Sequence, residues 1–125
     1  MEILIQTDVK PTESKEKVLK CLHNLFPAVK FDVQEGKISG RSKDLSALER
    51  LKQLLGRQAI RDAARAYLQK NIFPGELKFW LNKQAASCSV VNFTEGESPL
   101  GPITVTVRAK DVQKVVDYLT GSEKR

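Results

Sequence analysis

Two hydrophobic periods meet within a few residues near the end of this chain, and together they restrict the folds open to it. Ile103, Val105 and Val107 alternate with Thr104, Thr106 and Arg108, the period of a strand with one apolar face. Immediately afterwards Val112, Val115, Val116 and Leu119 recur at i, i+3, i+4 and i+7, the stripe of an amphipathic helix. Each element needs a second layer to bury its apolar side, and helices packed on a sheet meet both needs.

The same two periods recur along the rest of the chain. Glu2 to Val9 reads as a strand with Ile3, Ile5, Thr7 and Val9 on one face and Leu4 on the other. Thr12 is placed to cap a following helix, with Glu13 and Glu16 in its first turn, an apolar stripe of Val18, Leu22, Leu25 and Phe26, and Pro27 as its stop. Val29, Phe31 and Val33 alternate up to a Glu35-Gly36-Lys37 turn, and Ile38 to Arg41 returns as a short second strand. A second helix begins at Asp44 or Ser46, buries Leu48, Leu51 and Leu55, and is interrupted at Gly56. Helical spacing resumes through Ile60, Ala63, Ala64, Tyr67 and Leu68, as a third helix or a kinked continuation, until Asn71 and Pro74-Gly75 close the unit. Leu77, Phe79 and Leu81 alternate with Lys78, Trp80 and Asn82, and Val90 to Phe93 supplies a partner strand after a linker of small residues. Ser98 to Pro102 is a constrained loop, Asp111 opens the last helix and Gly121 closes it.

The order expected is therefore β-α-β-β-α-α-β-β-β-α, an α+β single domain over residues 1–121. Its sheet is mixed or antiparallel and covered by helices, and residues 122–125 form a flexible basic tail. A chain of 125 residues suits one such domain. Its start reaches a charge at Asp8, unlike a signal peptide, and no apolar run approaches a membrane span, so a cytoplasmic location without membrane contact is expected.

Most of the usual catalytic arrangements are excluded by their missing parts. The only histidine, His23, falls near the end of the first helix with no nucleophile nominated beside it, and Cys21, two positions away, points to a different helical face. Cys21 and Cys88 have no second ligand at a metal-like spacing and read as packed or spectator thiols. The glycines match neither GxGxxG nor GxxxxGK. No catalytic residue, metal or cofactor is nominated, and a protein without enzymatic activity is expected.

Charge is the more informative feature. The net charge is +6, and residues 57–83, with six basic and two acidic side chains, carry +4 of it. Within Gly56 to Arg65 the arginines at 57, 61 and 65 are spaced by four, so on one continuous helix successive ones lie within roughly 40° and form a basic ridge. Guanidinium groups in a row suit successive phosphate oxygens. Lys78 and Lys83 on the next strand, with Arg41 and Lys43 before the second helix, extend the candidate surface for RNA. The bland alternative is that the arginines pair with acids such as Asp62 and keep a face wet. Trp80 looks outward, either toward a base or toward a partner, and a homodimer formed through Trp80 and the sheet edge is the competing reading of this surface.

Gly56 to Arg65, Leu81-Asn82-Lys83-Gln84-Ala85-Ala86, Val91-Asn92-Phe93 and Ser98-Pro99-Leu100-Gly101-Pro102-Ile103 occur in an order that resembles a family of small uncharacterised archaeal proteins grouped with RNA-binding proteins. The resemblance runs the whole length, although Ser87-Cys88-Ser89 stands where a glycine is expected. It implies a fold similar to that of the ribosomal protein that binds 5S RNA, and wider relatives regarded as candidates for association with the exosome. It supplies no site residues, so the candidates above rest on charge and spacing.

Overall fold

The protein is described from a computed structural model covering residues 1–96 and 101–121. Strand β1 (Glu2–Asp8) leads to helix α1 (Lys15–Leu25), the hairpin β2 (Phe31–Gln34) and β3 (Lys37–Ser42), and a 3-10 turn (Leu45–Leu48) that runs into α2 (Glu49–Arg57). Then come α3 (Arg61–Gln69), β4 (Ile72–Phe73), β5 (Glu76–Leu81), α4 (Lys83–Ser87), β6 (Phe93–Thr94), β7 (Ile103–Arg108) and α5 (Val112–Leu119). This is the expected α+β domain, with one two-residue strand and one five-residue helix added.

Every strand pairing is antiparallel, in the spatial order β2-β3-β1-β7-β5-β4, with β6 also beside β5. Period-2 alternation decides which residues face the helices: Ile3, Ile5, Ile38, Leu77, Phe79, Leu81, Ile103, Val105 and Val107 are all buried. They share one core with Leu22, Leu25, Leu48, Leu51, Leu55, Ala64, Leu68, Val116 and Leu119 from the helices. Each fully buried aliphatic side chain contributes about 1.5–3 kcal/mol, so the helical layer and the sheet stabilise one another. Leu4, Gln6, Ser39, Arg41, Lys78, Trp80 and Thr104 occupy the opposite, partly exposed face.

Local chemistry shifts several boundaries. The cap of α1 is Ser14, whose side chain accepts from Lys17 N–H, so Thr12 lies outside and Glu13 precedes the helix. Asp44 does open the second helical unit by accepting from Ser46 N–H, but only into the 3-10 turn. Pro74-Gly75 is the turn of the β4–β5 hairpin, with Gly75 at φ 73°. The partner strand of β5 is shorter than Val90 to Phe93, because Asn82 caps a helix in the small-residue stretch by accepting from Ala85 N–H. The loop expected at 98–102 falls largely outside the described residues, as does the tail at 122–125.

Candidate nucleic-acid interface

Gly56 does not break the second helix, which continues through it to Arg57. The break comes at residues 58–60, where Ala59 adopts φ 57° and Ile60 N–H reaches back to Leu55 O at 3.2 Å. The apolar side chain at 60 is thereby drawn against the core while the chain changes direction into α3. Arg57 thus ends one helix and Arg61 begins the next, and the continuous ridge expected from the spacing of four does not form. Gly56 instead makes room: a Cβ there would lie 2.6 Å from Arg61 Nη2. The same guanidinium passes beside Gly121 after α5, 3.5 Å from Cζ to a Cβ built at that position. Both cations are exposed at helix ends, and neither has an ion pair or hydrogen bond with another described residue.

Arg65 turns inward. Its Nη1 donates to Asp117 Oδ1 at 2.8 Å and to Thr120 Oγ1 at 3.2 Å, fastening α3 to α5. The bond from Arg65, aided by one from Gln113, holds the Asp117 carboxyl below its ordinary pKa. For Arg65 the alternative of pairing with a carboxylate therefore holds, through Asp117 rather than the neighbouring Asp62.

Lys83 departs furthest from expectation. It lies on no strand but opens α4, and only 5 % of its side chain is exposed. The ammonium donates to Asp8 O at 2.8 Å and to both Glu13 carboxylate oxygens at 3.0 Å, so all three protons are used. Lys10 N–H adds a bond to Glu13 Oε1 at 2.8 Å. Burial pushes the Glu13 carboxyl up, but the Lys10 amide and the Lys83 ammonium together outweigh it and hold the group below its ordinary 4.5. A cation so enclosed is a structural link between β1, the α1 entry and α4.

The open face of the sheet gathers Arg41, Lys78 and Trp80, since Arg41 lies opposite Leu4, Leu4 opposite Thr106 and Thr106 opposite Lys78. Its charges are largely matched. Glu2 accepts from Arg41 at 3.1 Å and lies 3.8 Å from Arg108, which bonds Glu76 at 3.3 Å. The indole of Trp80 has Lys78 Nζ 5.9 Å from its ring centre, and a Cβ at Gly96 would lie 3.5 Å from it, so part of its surface is already occupied. Lys43 is exposed between β3 and the 3-10 turn, away from the arginine corner in sequence and without a described partner.

Three polar side chains, of which helical spacing names only Tyr67, hold the segment after β5 against the helices. Asn24 of α1 donates to Ala86 O at 3.0 Å and to Ser87 O at 3.4 Å. Gln58 at the end of α2 bonds both the N–H and the carbonyl of Val91, at 2.7 and 3.0 Å. Tyr67 of α3 donates to Thr94 O at 2.6 Å and accepts from Trp80 N–H at 3.2 Å, and burial pushes its phenol pKa up. Where α1 faces α4, an open groove of about 300 Å³ is lined by Thr12, Glu13, Ser14, Lys17, Val18, Cys21, Lys83, Gln84 and Ser87. An adjoining depression of about 210 Å³ adds Lys20. His23 is exposed and packs on Phe31, ring centres 5.5 Å apart. Among the described residues no three of His, Cys, Asp and Glu converge on a metal position, and no helix is long and apolar enough to cross a membrane.

Comparison with known proteins adds a family context. Residues 2–109 match the model of a family described as RNA binding. A UPF0201 protein of Thermococcus onnurineus is 41% identical over 122 residues, covering 94% of this chain and 90% of its own. A UPF0200/UPF0201 protein of Archaeoglobus fulgidus is 37% identical over 99% of this chain, which corresponds to 38% of that longer protein. The crystal structure of a UPF0201 protein from Methanococcus jannaschii superposes with a TM-score of 0.84 at 35% identity, covering 100% of this chain and 95% of the other.

Proposed function

The chain belongs to the family described as RNA binding, alongside archaeal UPF0201 proteins, and from that premise we propose that it binds RNA through the exposed corner where α2 ends and α3 begins. The observation that carries the reading is the difference among its basic side chains. Arg65, Lys83, Arg41 and Arg108 are committed to carboxylates, whereas Arg57 and Arg61, at the end of one helix and the start of the next, are exposed without a described partner. A guanidinium that has no protein acceptor offers its whole fork of donors to a phosphate. Contacts of this kind read backbone and shape rather than sequence, and no chemical step is assigned to the protein.

The test is a titration of structured and single-stranded RNA at two salt concentrations with the wild type, an Arg57→Ala/Arg61→Ala variant and an Arg65→Ala variant. The corner pair should account for much of the affinity and of its salt dependence, while Arg65→Ala should leave the salt dependence intact. Binding that ignores salt, or that the corner variant retains in full, would overturn the reading and leave a protein-interaction module or homodimer in its place.

A further inference from the structure

The groove between α1 and α4 has the composition of a small ligand site. Lys17 and Lys20 are three residues apart on α1, so their side chains are neighbours on one helical flank; Lys17 lines the groove, and both line the depression that adjoins it. Lys83 lies among the groove's lining, and Glu13, the one carboxylate there, is neutralised by the Lys83 ammonium and also accepts a hydrogen bond from the Lys10 amide. The lining of the two together is therefore net positive, with its exposed charge concentrated at Lys17 and Lys20. The buried side chains of Val18 and Cys21 supply an apolar wall, and the exposed carboxamide of Gln84 faces the same space, able to donate and to accept. A volume of about 300 Å³ is at the small end of ligand pockets, roughly 300–1,000 Å³.

We propose that this groove seats one nucleotide, its phosphate on Lys17 and Lys20 and its base against Val18 and Cys21 with an edge toward Gln84. Cations at one end, an apolar wall in the middle and a carboxamide that can read hydrogen-bond donors or acceptors fit that chemistry better than they fit a bare anion. The nucleotide is either free or a unit of an RNA strand, and in the second form the proposal rests on the RNA reading above. Position favours the strand. Asn24 ties residues 86 and 87 beside the groove, and Gln58, next to Arg57, ties Val91. Five steps of chain separate Ala86 from Val91, at most about 3.3–3.6 Å each, so the groove and the arginine corner flank one short segment that a bound strand can follow.

Amide spectra of the isotope-labelled protein, titrated with adenosine monophosphate, inorganic phosphate and an eight-nucleotide single-stranded RNA, test the assignment. The proteins compared are the wild type, Lys17→Gln/Lys20→Gln and Arg57→Ala/Arg61→Ala. The substituted lysines are exposed, so unchanged spectra outside the groove will show that the fold is intact. Both nucleotide probes should shift Ser14, Lys17, Cys21, Gln84 and Ser87, the lysine variant should bind adenosine monophosphate at least tenfold more weakly, and the arginine variant should bind it as the wild type does. RNA-induced shifts confined to residues 57–61, with the groove silent toward both nucleotide probes, would overturn the groove and leave the RNA reading standing. Adenosine monophosphate in the groove without RNA binding anywhere would support a free-nucleotide site and remove the RNA reading. Inorganic phosphate binding as tightly as adenosine monophosphate would overturn the nucleotide assignment, and silence toward every probe would overturn both proposals.

Discussion

At Lys83 a single side chain joins three elements, and its loss should be felt in stability. Removing one partner of a buried pair leaves the other charge uncompensated, a cost of about 3–5 kcal/mol. Lys83→Met should therefore lower the thermal midpoint sharply, and Lys83→Met/Glu13→Gln should recover part of the loss. The pH dependence has a definite sign. Because the folded Glu13 carboxyl lies below 4.5, its contribution is present above that value and is lost as pH falls through the lower folded pKa. In Lys83→Met the lowering from the ammonium is gone, so Glu13 should contribute less to the loss of stability on acidification and the variant's stability should fall less between neutral and acid pH than the wild type's; an unchanged pH dependence would argue against the pair. Gly40 makes a different kind of residue-level prediction. A Cβ there would meet Val29 Cγ1 at 2.7 Å, Phe31 Cδ1 at 2.8 Å and Lys30 O at 2.9 Å. Backbone is among the obstacles and cannot swing away, so Gly40→Ala should cost about 1–3 kcal/mol in denaturant unfolding.

At the scale of elements, the outer edge of β5 shows how a sheet boundary is closed. β4 covers one end of it and β6 the other, and between them the Tyr67 hydroxyl receives the Trp80 N–H. Tyr67→Phe deletes that acceptor and the donor to Thr94 O, leaving two backbone groups without partners at a cost of about 1–3 kcal/mol. Amide exchange at Trp80 should accelerate more than at Phe79 in this variant, and equal acceleration at both would mean that the hydroxyl is not the seal. The strands β1 and β7 and the helices α1, α3 and α5 were legible in the chain because each repeats an apolar residue at one period for six residues or more. The pieces that were not legible, β4, α4 and the turn at 58–60, are too short to establish a period. They are set by particular bonds, such as Asn82 to Ala85 N–H, made only once the rest has folded.

For the whole molecule, the arrangement of charge matters more than its total of +6. On the open face of the sheet Arg41 and Arg108 are paired with Glu2 and Glu76, and the helix corner leaves Arg57 and Arg61 uncommitted among the described residues. If both arginines contact phosphate, the slope of log K against log salt should fall in magnitude by about 1.4–1.8 in the double variant, from roughly 0.7–0.9 per phosphate contact. A slope that does not change would place the contacts elsewhere on the surface.

By itself, the amino-acid sequence determined the α+β class, the buried face of each long element and the concentration of positive charge in residues 57–83, because apolar period and charge are local properties. Only the tertiary structure decided which of those charges remain available. The spacing of Arg57, Arg61 and Arg65 presumed one unbroken helix; Ala59 in the left-handed region broke it, and Asp117, distant in sequence, took Arg65. Lys83 likewise found Glu13 seventy residues away. An ion pair between distant elements depends on how the chain brings them together, and no local pattern of residues records that.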